Sequence, residues 1–176
     1  MKIFDVNPGT GAKKIMYEEQ QKTWVDLEDR AGQRFTFLKN KAAFILESDK
    51  TGWNHLYLHN NDGSLINPIT SGEFTVLNTE LIDEKNGLVY FTARGKENTA
   101  RTDLYSVKMN GSEMKRLTFG DYNHTQVRLS PNGKYFVTSY SNTTTPTKMT
   151  LLDGKGKIVR ELGDAKGAAM SEYQIA

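Results

Sequence analysis

An internal repeat constrains this chain more than any other feature. HLYLHNNDGSLINPITSG, from His55 to Gly72, returns without a gap as DLYSVKMNGSEMKRLTFG, from Asp103 to Gly120, so that 103 − 55 = 48 sets the period. Leu56 aligns with Leu104, Tyr57 with Tyr105, Gly63 with Gly111, Ser64 with Ser112, Ile69 with Leu117, Thr70 with Thr118 and Gly72 with Gly120. Units of roughly 40–50 residues built from short β segments mark propeller blades, each a four-stranded sheet that cannot bury both its faces alone. The expected fold class is all-β: a partial β-propeller of about three four-stranded antiparallel blades plus a partial blade.

The repeat fits into 176 residues only three times and a fraction, whereas a propeller closes with typically 4–8 blades. The chain therefore reads as an excerpt of a larger protein, since an open array would leave blade faces and strand edges bare. With 23 basic and 21 acidic residues the formal net charge is +2 and no basic run stands out, which argues against nucleic acid as a partner. No stretch approaches the roughly 20 apolar residues of a membrane helix, and the opening MKIFDVNPGTG lacks the apolar core of a signal peptide. The absence of cysteine removes thiol nucleophiles, cysteine metal sites and disulfides together, and leaves the compartment undecided.

The alternating segments assign the blades. Residues 1–20 make a partial blade, IFDV and AKKIMYE joined by NPGTG. Residues 21–72 make the first full blade, with strands Phe35–Leu38, Ala42–Glu47, Asn54–His59 and Ser64–Thr70. Residues 73–120 make the second, with Thr75–Ile82, Leu88–Ala93, Thr102–Lys108 and Glu113–Thr118. Asn86-Gly87 and Asn110-Gly111 are expected as hairpin turns, because both residues tolerate φ > 0. Residues 121–162 make the third, with Thr125–Ser130, Lys134–Tyr140, Thr147–Asp153 and Lys157–Leu162, and residues 163–176 read as a linker.

Few side chains carry candidate chemistry. His55 and His59 are four apart, but on a strand this places them about 13 Å from one another, so no metal site is expected and both read as packing residues. His124 has no G-x-S-x-G nucleophile elbow to serve and reads as a structural hydrogen-bonding residue. Tyr17-Glu18-Glu19 pairs two glutamates that could hold an ammonium group, against the plainer reading of a charged loop between blades. Trp24, Trp53, Tyr57 and Tyr105 stand where blade packing needs aromatics. No catalytic residue and no cofactor are expected. The loop DLEDRAGQR, from Asp26 to Arg34, is the longest polar insertion before a blade, and such loops form propeller binding surfaces.

The run ESDKTGWNHLYLHNNDG, Glu47 to Gly63, resembles the N-terminal propeller of the dipeptidyl peptidase IV family. TWVDLED, ITSGEFTV, VYFTAR, DLYSVKMNG, RLT and SPNGKYFVTSYS follow in the order that family shows, so the resemblance covers nearly the whole chain. It implies a serine exopeptidase in which a propeller precedes an α/β-hydrolase domain with a Ser-Asp-His triad and the pair removes N-terminal dipeptides or tripeptides after proline. The partners implied are peptides with proline near the N-terminus and the hydrolase domain of the same chain, with a homodimer left open; a periplasmic or secreted location is implied as well. In that family propeller loops gate and position the substrate, which makes Asp26, Glu28, Asp29 and Arg30 the substrate-facing candidates. The family's clamping glutamates lie in a D-W-x-Y-E-E motif on an earlier segment. Tyr17-Glu18-Glu19 lacks the preceding Asp-Trp and stands just before TWVD, so that role is not carried over, and no position matches the triad. The rival readings are a TolB-like scaffold that recruits proteins and a carbohydrate-binding propeller.

Overall fold

The computed structural model describes residues 1–22, 25 and 34–167. These form only β-strands and turns, divided into two compact units. In the first unit, which holds Met1–Glu73 and the turn Met109–Ser112, β1 (Lys2–Val6) and β2 (Lys13–Glu18) make a two-stranded sheet. It is joined by a four-stranded meander of β3 (Phe35–Phe37), β4 (Ala43–Ser48), β5 (His55–Asn60) and β6 (Leu65–Pro68). The second unit, from Phe74 to Lys108 and from Glu113 onward, holds two meanders. One is β7 (Thr75–Asp83), β8 (Leu88–Arg94), β9 (Thr102–Lys108) and β10 (Lys115–Arg116); the other is β11 (Asn123–Leu129), β12 (Tyr135–Ser141), β13 (Lys148–Asp153) and β14 (Ile158–Asp164). All pairings are antiparallel. The all-β class, with three four-stranded blades and a partial one, is what the chain adopts.

The inner strands of each meander carry the core. In the first unit Tyr17 of the two-stranded sheet packs on Phe44 and Leu46 of β4, with Met16 and Phe35 at the margin. In the second unit Tyr90, Leu104 and Leu117 of one sheet meet Val127, Phe136 and Leu152 of the other. Each large apolar side chain so buried stabilises by about 1.5–3 kcal/mol, and sheet-on-sheet packing of this kind is what a blade needs from its neighbour.

The repeat reappears as register. Tyr57 lies opposite Pro68, and Tyr105 lies opposite Arg116; both members of the pair shift by 48, since 57 + 48 = 105 and 68 + 48 = 116. Just beyond that pair a threonine side chain takes over from the ladder. The amide of Leu56 donates to Thr70 Oγ1 (3.0 Å) and that of Leu104 to Thr118 Oγ1 (3.2 Å). The threonine hydroxyl then donates to the side chain one residue earlier, to Asp103 Oδ1 in the second blade (2.7 Å). In the first blade its partner is His55 Nδ1 (3.1 Å), while Nε2 lies 3.0 Å from Gly72 O. A carbonyl only accepts, so Nε2 carries the proton and Nδ1 accepts.

This substitution of side chain for backbone accompanies the early end of both outer strands, and Glu113 at φ +55° delays the start of the second. β6 ends at Pro68 rather than Thr70, and β10 covers Lys115–Arg116 rather than Glu113–Thr118. At the other end of the chain β14 runs on to Asp164 rather than stopping at Leu162. The Asn-Gly hairpin turns form where expected, joining β7 to β8 and β9 to β10. Gly87 and Gly111 take positive φ but Asn86 and Asn110 do not, so these are not two-residue turns with both residues left-handed. They are turns with a single left-handed glycine, and Asn110 Oδ1 contributes by accepting from the Ser112 amide (3.0 Å).

One glycine position recurs with a second requirement. Gly63, at φ +89°, closes the β5–β6 turn with its amide on Asn60 O (2.8 Å); Gly156, at φ +87°, does the same for β13–β14 on Asp153 O (2.9 Å). A Cβ at Gly63 would fall on the carbonyl oxygen of Met16, and one at Gly156 on that of Leu117, both well inside 3.0 Å. Each turn thus presses its backbone against the strand of the neighbouring sheet within its own unit.

Candidate functional site

Asp26, Glu28, Asp29 and Arg30, together with Trp24, lie outside the described residues, but both ends of their loop are held by β4. On the entry side Gln21 Nε2 donates to Asp49 Oδ1 (2.9 Å), one residue past β4. On the exit side the carbonyl of buried Arg34 accepts from the Glu47 amide (2.8 Å). Two anchors only two residues apart along one strand end, Glu47 and Asp49, fix where the loop starts and stops.

Beneath the entry anchor lies a carboxylate that is largely withdrawn from water. Glu19 is 5% exposed. Its Oε2 accepts from Tyr17 Oη (2.9 Å) and Ser48 Oγ (2.8 Å), and its Oε1 from Gln21 Nε2 (2.6 Å). Three donors compensate the loss of hydration that a buried charge otherwise suffers. Burial, and secondarily the hydrogen bond to Glu19, pushes the Tyr17 phenol well above its ordinary range, so it remains a donor. Lys50 Nζ sits 3.8 Å from the centre of the Tyr57 ring. Burial lowers its pKa, and the Glu19 charge opposes that shift.

Glu18 and Glu19 do not act as a pair. Strand alternation turns them to opposite sides: Glu18 is exposed and takes Lys2 Nζ (3.3 Å) and Gln20 Nε2 (2.7 Å), while Glu19 is buried and saturated. The two carboxylates therefore do not converge on an ammonium group. The Glu19 network escaped sequence reasoning because Ser48 and Asp49 are 29 and 28 residues from their partners; the only signal was a polar Ser-Asp-Lys run ending an otherwise apolar strand.

Each histidine sets one ring nitrogen against a backbone carbonyl, while His59 Nε2 is buried without a hydrogen-bond partner among the described residues. His55 holds Thr70 and Gly72 as described above. His59 Nδ1 lies 2.9 Å from Gly63 O, and its ring stacks on Phe44 at 5.2 Å. His124 Nε2 lies 2.9 Å from Phe119 O. Burial is the largest influence on all three and lowers each pKa, with the carbonyl contacts opposing it. Among the described residues no three His, Asp or Glu side chains converge to hold a metal ion, and no helix is long and apolar enough to cross a membrane.

Residues 1–147 match the family described as the dipeptidyl peptidase IV N-terminal region. The chain belongs to that family. Among its relatives is dipeptidyl peptidase 4 of Arthroderma otae, 29% identical over 179 residues that span 99% of this chain and 23% of the relative. Dipeptidyl peptidase 4 of Trichophyton equinum is 30% identical over 110 residues, 62% of this chain and 14% of the relative. Among solved structures the Porphyromonas gingivalis dipeptidyl peptidase 4 superposes with a TM-score of 0.80 at 28% identity, over 97% of this chain and 23% of that one. The chain thus spans about a quarter of the length of the Arthroderma otae and Porphyromonas gingivalis proteins.

Replacing Glu19 by alanine would strand the buried Tyr17 and Ser48 hydroxyls at the loop's entry anchor, while Gln21 would keep Asp49. Orphaned buried donors cost about 1–3 kcal/mol each in related settings, so Glu19→Ala is expected to lower stability by about 3 kcal/mol in denaturant unfolding. A loss under about 0.5 kcal/mol, the level of an ordinary surface change, would mean the network carries no weight.

Proposed function

We propose that this chain is a non-catalytic propeller segment of a dipeptidyl peptidase IV-like serine exopeptidase, gating and positioning peptides for removal of N-terminal di- or tripeptides after proline. Residues 1–162 supply the blades and residues 163–176 lead toward an α/β-hydrolase domain that holds the nucleophile. The observation that carries the reading is the family match along residues 1–147; it favours a peptidase over a TolB-like scaffold or a carbohydrate-binding propeller.

The loop bearing Asp26, Glu28, Asp29 and Arg30 is the substrate-facing element of this proposal, and its two anchors on β4 support it. At about 4 Å and an effective dielectric near 20, a carboxylate and a peptide ammonium attract by about 4 kcal/mol before desolvation, enough to orient a peptide N-terminus. Orientation is itself catalytic when the nucleophile comes from another domain, because it holds the scissile bond in reach.

In the full-length protein, Asp29→Ala combined with Arg30→Ala is expected to lower kcat/KM for proline-containing peptides by up to about tenfold, about 1.4 kcal/mol of transition-state stabilisation, with an unchanged melting temperature. Unaltered kinetics would return the loop to solvent.

A further inference from the structure

Far along the chain from that loop, the second unit holds a groove of about 450 Å³ lined by β8, β9, β10 and the β13–β14 turn. Its polar wall includes two hydroxyls free to bond a ligand. Tyr90 is 6% and Ser106 8% exposed; both line the groove, and neither hydroxyl has a hydrogen-bond partner among the described residues. Both oxygens remain open to solvent, so a ligand entering the groove can reach them.

The charges divide in the same way. Lys108 is held by Glu113, and Arg116 by Asp103 (2.8 Å) and the carbonyl of Gly120 (2.6 Å). Lys115 on β10 and Lys155 on the β13–β14 turn line the groove from two sides and form no ion pair among the described residues. Glu113, the one carboxylate in the lining, is already neutralised by Lys108, which also holds its pKa below the usual range. What remains is a concavity with two uncommitted ammonium groups, two hydroxyl donors and an apolar floor of Leu88 and Leu117. Its size falls within the roughly 300–1,000 Å³ of small-ligand sites.

We propose that this groove binds a small ligand bearing oxyanions, carboxylate or phosphate, gripped between Lys115 and Lys155 and hydrogen-bonded by Tyr90 and Ser106. Charge-assisted bonds from ammonium and hydroxyl donors to an oxyanion are the strong class of hydrogen bond, and a cleft with an excess of positive charge concentrates anions. The site is independent of the loop and of the peptidase reading, so the two stand or fall separately.

Calorimetric titration of the full chain with citrate and with inorganic phosphate, at constant ionic strength set by sodium chloride, tests it. One saturable site with a dissociation constant near or below about 1 mM is expected for at least one of the two anions. The tighter of the two identifies polycarboxylate or phosphate as the source. Lys115→Ala with Lys155→Ala should weaken binding about tenfold or more while the melting temperature holds, because both residues are exposed. Tyr90→Phe should weaken it severalfold, and the lysine pair keeps the test decisive if that core change perturbs folding. Absence of saturable heat with both anions, equal affinity in the double lysine variant, or equal displacement by chloride would overturn the proposal.

Discussion

Gly63→Ala is expected to lower stability by about 3–5 kcal/mol, in the range reserved for a few drastic mechanisms, whereas Gly52→Ala should cost only about 1–2 kcal/mol. The two glycines share φ +89°, so the left-handed penalty is common to both. They differ in surroundings: a Cβ at Gly52 meets nothing within 4 Å, and one at Gly63 meets the Met16 carbonyl. The difference between the variants therefore isolates the cost of prising the β5–β6 turn off the two-stranded sheet. Gly156→Ala, against the Leu117 carbonyl, should resemble Gly63→Ala. Denaturant midpoints of the three variants give the answer, and equal losses at positions 52 and 63 would show that the turn does not bear on its neighbour.

Acidification below about pH 6.5 is expected to unfold the chain progressively before its carboxylates titrate. His55, His59 and His124 are 2%, 2% and 0% exposed, and burial lowers the pKa of each in the folded state. The unfolded chain then binds protons that the folded chain refuses. Stability from this source is fully present above the unfolded histidine value near 6.5 and is lost as pH falls toward the folded values. If all three stay neutral, the slope reaches about 4 kcal/mol per pH unit, three times the single-site value of about 1.4. Glu80 works in the opposite sense, since burial raises its pKa and the folded state welcomes its proton; one such group against three leaves the sign unchanged. Urea unfolding at pH 7.5, 6.0 and 5.0 measures the slope, and replacing any one histidine by glutamine should flatten it by roughly a third. Constant stability across that range would refute the account.

The blade architecture was legible in the sequence because it repeats. The 48-residue spacing survives as shared register of Tyr57 and Tyr105, and the glycines that punctuate the repeat, Gly63, Gly72, Gly111 and Gly120, all take positive φ. Strand ends were less legible, because Thr70 and Thr118 look like strand residues and in fact replace the ladder with their side chains. The turns at Asn86-Gly87 and Asn110-Gly111 were legible as turns, but not that only the glycine takes positive φ while the asparagine side chain serves the turn from ordinary backbone angles. Of the candidate site, the loop could be located by its composition. The Glu19 network beneath it could not, since its members meet only once β2 and β4 have been brought together.

His55 and Asp103 occupy one slot of the repeat, each accepting the hydroxyl proton of the threonine fifteen residues on. They do so with different charge, and the position thirteen residues on differs to match. Arg116 neutralises Asp103, whereas its counterpart beside His55 is Pro68, which has no cation to give. An imidazole lone pair and a carboxylate are interchangeable as acceptors, but only the carboxylate demands a countercharge. Within this chain, then, the residue in this slot matches the one across the hairpin: a neutral imidazole stands with a proline free to end the strand, and a carboxylate stands with an arginine that balances its charge.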